Sequence, residues 1–228
     1  ETLKGRMDST APILRSINNR ARQAQARIIF AEGDDPRVLR AAVMYQRNGL
    51  GKALVVGRED DVRKKLEESG LGDAVRELEV VNAANTRHLD AYKNFLYQRL
   101  QRKGYDRQDI HRLAARDRHV FSSLMLAHGH ADGLITGATR KSAHVMELIN
   151  HVFDADAHHG AVGVTALLHN GRIVLITDTL VHEWPEEEDL ATIAERAADV
   201  ARHLGLEPRV AFVSFSTFGY PVSERALK

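Results

Sequence analysis

Two short segments of the chain have residue types and spacing that can hold an anion. Val213-Ser214-Phe215-Ser216-Thr217-Phe218-Gly219 runs an apolar stretch into hydroxyls and a glycine. Thr136-Gly137-Ala138-Thr139-Arg140-Lys141-Ser142 repeats that design with two cations added. In each, a strand-like run ends at a turn whose backbone N–H and hydroxyl groups can donate to a phosphate or a carboxylate. In the first, Ser216, Thr217 and Gly219 are the candidate contacts, although a helix cap followed by a glycine turn uses the same residue types. In the second, Thr139 is also a candidate N-cap, and Arg140 and Lys141 either pair with phosphates or stand as exposed cations.

A third cluster, Glu32-Gly33-Asp34-Asp35, sets carboxylates beside a glycine. Metal binding or general-base work is open to such groups, but Pro36 directly behind them favours capping of a helix. Asp178, in Thr177-Asp178-Thr179, suits a turn closed by its own side chain as well as a functional role. The 12 histidines raise the question of a metal site. His128-Gly129-His130 and His158-His159 lack the i, i+4 spacing of a helical zinc pair, and His144 with His151 supplies only two ligands. These histidines therefore read as titrating surface groups, with no metal. The chain has no cysteine, which excludes disulfides and thiol nucleophiles. No serine–histidine–aspartate order, P-loop or complete dinucleotide fingerprint occurs in it.

Lys plus Arg total 32 against 31 acidic residues, so the basic excess of a nucleic-acid binder is missing. No apolar run has the length of a membrane span and no signal peptide opens the sequence, so the expected compartment is the cytoplasm. A 228-residue chain that is 43% hydrophobic can bury a substantial core, as one large domain or as two lobes. It begins at Glu1 rather than Met and ends at Lys228, just after a helix-like start at Ser223-Glu224-Arg225, which points to a piece of a longer protein.

The elements that must position these residues alternate short β-branched runs with amphipathic stretches, the pattern of a mainly parallel sheet flanked by helices. Strands are expected at 27–31, 53–57, 78–82 and 133–136. Helices are expected from Pro36, at 59–69, at 86–103, from Asp106 or Asp109, and at 120–128. Asn170-Gly171 lies between the apolar runs 162–168 and 173–177, the signature of an antiparallel hairpin with a type I′ turn. A helix rich in acids at its start should then run from Pro185 to Leu204, followed by a strand at 209–215. The antiparallel hairpin departs from the parallel repeat, which puts a lobe boundary near 138. The first lobe would cover 1–137, with 1–20 as linker and entry helix, and the second 138–228.

Read in order, these segments resemble the phosphotransacetylase family. Ile29-Phe30-Ala31-Glu32-Gly33-Asp34-Asp35-Pro36-Arg37-Val38 is similar to its opening strand and helix, and Ala131-Asp132-Gly133-Leu134-Ile135-Thr136-Gly137 to the turn entering its second lobe. Pro185 through Glu188 with Leu190, Ala191, Ile193 and Ala194 resembles its acidic helix, and Glu207-Pro208-Arg209-Val210 with Ser214-Phe215-Ser216-Thr217 the strand and turn behind it. Two departures are similar to the domain fused behind bacterial NADP-dependent malic enzymes. Phe218 stands where the acyltransferases commonly carry a Lys, and Tyr220-Pro221 follows Gly219. Gly137-Ala138-Thr139-Arg140 and the linker-like Met7-Asp8-Ser9-Thr10 resemble that branch too.

The resemblance implies a two-lobed α/β/α fold of the isocitrate-dehydrogenase-like type, incomplete at its C-terminus. It implies a regulatory domain that binds acetyl-CoA as an effector between the lobes, near Thr139, Arg140, Ser216 and Thr217. NADP and a divalent metal would sit on an absent malic-enzyme portion, and copies would pair through the second lobe. No catalytic residue is assigned, because the family's thiol-activating carboxylate would lie beyond Lys228. An active phosphate acetyltransferase is the alternative, and a domain for oligomerisation alone a further one.

Overall fold

The computed structural model describes residues 11–153 and 161–213. It divides into two compact units, one of Asn18–Asp154 and one of Glu1–Ile17 with Ala155–Lys228. Helix α1 (Ala11–Ala24) leads into the first unit.

The first unit is built on four parallel strands, β1 (Ala26–Phe30), β2 (Gly51–Val56), β3 (Glu79–Val81) and β4 (Gly133–Ile135), in the order β3-β2-β1-β4. Register pairs Ile28 with both Ala53 and Gly133. Because side chains alternate across a strand, β1 and β2 feed two separate cores. Phe30, Ala53 and Val55 face α2 (Pro36–Arg47) and α3 (Glu59–Glu68), where Leu39, Val43 and Leu66 close the layer. Ile29, Leu54 and Val56 face the other side, against α4 (Leu89–Leu100), α5 (Arg107–Arg116), α6 (Arg118–Ala127) and α7 (Ser142–Asn150). The result is an α/β/α sandwich.

Local signals set the helix starts. The Asp35 carboxylate accepts from the N–H groups of Arg37 and Val38 with Pro36 at the first turn, so the expected start of α2 is a true cap. Asp106 and Asp109 form a reciprocal capping box at α5. The long helix expected over 86–103 starts later, at Leu89, and its last turn, Gln101–Lys103, is 3₁₀ and leads to Gly104. The packing division also differs from the boundary at 138. Leu148 of α7, with Val152 just beyond it, is buried in the same core as Tyr92 and Phe121, which groups residues 138–153 with the sheet.

The second unit contains the hairpin β5 (Val164–His169) and β6 (Arg172–Thr177), paired antiparallel from Val164↔Thr177 to His169↔Arg172. Asn170 and Gly171 both have positive φ, 46° and 74°, as a type I′ turn requires. Helix α8 (Glu187–His203) opens on three acids and a Glu186–Asp189 capping box, and it buries Ile193, Ala197 and Ala201 along one face. The strand expected at 209–215 is not formed over its described residues, 209–213. A strand needs a neighbour to satisfy its ladder, and there Val210, Phe212 and Val213 are exposed and unpaired in any sheet.

Candidate functional site

After β1 the chain winds outward to β2 and β3, then crosses back to lay β4 on the other side of β1. Strand order therefore reverses between β1 and β4. In open α/β sheets a crevice opens outside the carboxyl ends of such a strand pair, and ligands bind there. Two segments singled out in the sequence end at this point: Glu32-Gly33-Asp34-Asp35 after β1, and Thr136 to Lys141 after β4.

Glu32 is the fixed centre of the arrangement. Its side chain is buried, and its carboxylate accepts the Ala138 N–H at 2.9 Å, the Thr139 N–H at 2.8 Å and the Thr139 hydroxyl at 2.6 Å. Burial pushes its pKa up, but the Thr139 hydroxyl and the two N–H groups outweigh this and hold it below the usual carboxylate range. Two glycines make the approach possible. A Cβ on Gly33 would come within 2.6 Å of the Val56 carbonyl, and Gly137 turns the loop with a φ of 93°. The N–H pair that could cradle an external anion is thus filled by an internal one.

His119, in the first turn of α6, is fully buried, and its Nδ1 lies 2.6 Å from the Thr136 hydroxyl. Its Nε2 has no hydrogen-bond partner among the described residues. Burial lowers its pKa, with Asp117 pulling the other way, which favours the neutral ring.

Around this interior lie three arginines, each matched with an aspartate. Arg118 pairs with Asp34, and Arg140 reaches Asp117 at 3.0 Å. Arg37 reaches Asp35 at 2.8 Å and also donates to the Ala138 carbonyl at 3.2 Å. Lys141 is exposed, and among the described residues its ammonium has no ion-pair partner. Cations gathered at one crevice can bind phosphates. Proton abstraction is poorly served, because Glu32 is already saturated with donors.

The structure brings Thr139, Arg140 and Lys141 together at the end of β4. Ser216, Thr217 and Gly219 lie outside the described residues, as do His158 and His159. Thr139 is not the cap of the following helix: Lys141 holds that position without a side-chain hydrogen bond, and Thr139 is drawn to Glu32 instead. Asp35 caps α2, whereas Asp34 turns to Arg118 and Glu32 caps nothing.

The histidines are not uniformly surface groups. His119 is interior, and His88, His128 and His130 are half-buried around Tyr92, whose hydroxyl meets His130 Nδ1 at 2.5 Å. Among the described residues no group of three or more His, Asp or Glu side chains is placed to hold a metal ion. Sequence reasoning missed Glu32 as a loop anchor, and His119 and Asp117 as site residues. One signal was present: Glu32 directly follows an apolar strand, where burial is expected.

Asp178 in the second unit is also buried. It accepts the N–H groups of Gly163, Leu180, Val181 and His182 together with His182 Nδ1, so its role is to build its own loop.

A family model described as phosphate acetyl/butaryl transferase matches residues 12–228. An NADP-dependent malic enzyme from Rhizobium meliloti (strain 1021) is 42% identical over 226 residues, covering 99% of this chain and 30% of the relative. A phosphate acetyltransferase from Thermoanaerobacterium thermosaccharolyticum is 28% identical over 221 residues, 91% of this chain and 64% of the relative. The chain therefore spans less than a third of the first relative and under two thirds of the second. Among solved structures, the EutD phosphotransacetylase from Staphylococcus aureus superposes with a TM-score of 0.80 at 22% identity, over 96% of this chain and 67% of that one. That likeness fixes the fold.

Proposed function

This chain belongs to the phosphate acetyl/butaryl transferase family, and from that premise we propose that it is the regulatory domain of a larger cytoplasmic NADP-dependent malic enzyme, with acetyl-CoA as its effector. The parent would oxidise malate to pyruvate and CO2, with NADP and a divalent metal held on a portion outside this chain. The observation that carries the reading is the alignment of nearly the whole chain, at 42% identity, with under a third of a malic enzyme. The chemistry of the β1–β4 crevice fits the effector. Arg140 and Lys141, with Arg118 beside them, supply positive charge for the phosphates of a CoA ester. Thr139 does not donate to the ligand in this account. Its N–H and hydroxyl hold the loop on Glu32, and so fix where the two cations stand.

Coupling between an effector site and a distant active site is reciprocal, so malate and NADP should alter acetyl-CoA affinity as acetyl-CoA alters theirs. The test is NADP-dependent malate oxidation by the full-length protein, titrated with acetyl-CoA. A change in rate that Arg140→Gln weakens supports the reading, and a rate indifferent to acetyl-CoA overturns it. The second reading, an active phosphate acetyltransferase, draws on the stand-alone relative of that name. Phe218, in place of the Lys common in that group, weakens a small-anion site. Formation of acetyl phosphate by the full-length protein would favour it over the first.

A further inference from the structure

Arg140 is the cation best placed to meet a phosphate at the end of β4, yet it is already engaged. Its Nη1 donates to Asp117 Oδ2 at 3.0 Å. The two oxygens of Asp117 divide their work. Oδ1 caps α6, accepting the His119 N–H at 2.9 Å and the Val120 N–H at 3.1 Å, and Oδ2 takes Arg140. The carboxylate is mostly buried, with its side chain 16% exposed against 39% for Arg140. It is held by the helix it caps, so the acid stays in place and the arginine is the partner free to move.

We infer that Asp117 is an internal counter-anion competing with the ligand's phosphate for Arg140, so that binding at the β4–α7 loop proceeds by exchange of this ion pair. The inference rests on the site assignment above and adds its control element. Arg140 has donors to spare, but a phosphate using them beside Asp117 would place two anions within a few ångströms of each other. Moving the guanidinium off Asp117 lets the phosphate bind farther from that carboxylate, at the cost of the ion pair. The arrangement at Glu32 is parallel but more fixed, since two of its three donors are backbone N–H groups that cannot swing away.

The division of oxygens permits a clean test. Asp117→Asn keeps an acceptor for the cap and removes the acceptor for Arg140, and Asp117→Ser does the same with a hydroxyl, because Asn and Ser are good N-caps. Acetyl-CoA and, separately, inorganic pyrophosphate would be titrated into the full-length protein by calorimetry. Both variants should bind about two- to fivefold more tightly than the wild type, the range released by a partly exposed ion pair. The same substitutions made with Arg140→Gln should give no gain. An equal gain with and without Arg140 would mean that removing a charge acts through space, and would overturn the exchange. Wild-type binding with no tightening in either variant would overturn it as well, leaving the site assignment standing. If neither the wild type nor the variants bind either probe, the site assignment falls and the exchange falls with it.

Discussion

Asp178 and Glu32 are both buried carboxylates that hold a loop by accepting N–H groups, but they draw those donors from different places. Asp178 gathers its own neighbours, Leu180 to His182, with Gly163 from just before β5. Glu32 reaches across the sheet to Ala138 and Thr139, which lie 106 and 107 residues further along. The donors differ in exposure too. Ala138 and Thr139 are exposed, whereas Gly163, Val181 and His182 are half-buried and only Leu180 among the Asp178 donors is exposed. The comparison separates a carboxylate that builds its own loop from one that tethers the loop proposed to bind the effector. The first should be costly to remove. The second should be cheaper, with its effect concentrated in the loop.

Four measurements probe that contrast, in order of decreasing cost. Asp178→Ala leaves several N–H groups without an acceptor and should cost about 3–4 kcal/mol, read as a shift in the denaturant midpoint at unchanged slope. A loss below about 1 kcal/mol would remove the proposed distinction between the two carboxylates. Acid should act on the same residue. Burial raises the Asp178 pKa, but the N–H groups of Leu180, Val181 and His182 and the His182 ring outweigh it and hold the carboxyl down to about 2. A depressed folded-state pKa means the stabilisation is complete above the ordinary value of 3.8 and is lost as pH falls toward about 2. Unfolding titrations from about pH 5 down to about pH 1 should lose about 2 kcal/mol, and Asp178→Asn should flatten that slope.

Glu32→Gln keeps one acceptor oxygen and turns an amide NH2 toward the loop donors. A cost of about 1–2 kcal/mol is expected, with faster hydrogen exchange at Ala138 and Thr139 and little change at Leu180 to His182. Faster exchange in both loops would show that they are not independent. Thr139→Val removes only the hydroxyl donated to Glu32 and should cost about 0.5–1 kcal/mol, again visible chiefly in the 137–141 segment.

The same contrast explains which features were legible in the sequence. Asp35 before Pro36, Asp106 with Asp109, and the Asn170-Gly171 turn are local devices whose partners lie within a few residues, and each does in the structure what its spacing implies. Strand and helix types followed from periodicity for the same reason. Glu32 and His119 act through partners brought close only by the crossover from β3 to β4, and Asp117 adds the distant Arg140 to the local cap it makes, so apart from the place of Glu32 behind a strand no local pattern marks them. Thr139 shows the failure plainly: its neighbours read as a helix start, and a carboxylate from another strand claims it instead. Val210, Phe212 and Val213 show the reverse case, a strand-like run without a partner strand among the described residues.

The central claim is that the β1–β4 crevice receives the effector through Arg140 and Lys141. Hydrogen exchange of the full-length protein with and without saturating acetyl-CoA tests it most directly. The account predicts slowed exchange concentrated in residues 138–142 and lost in Arg140→Gln. Acetyl-CoA binding that leaves exchange in that segment unchanged would contradict it.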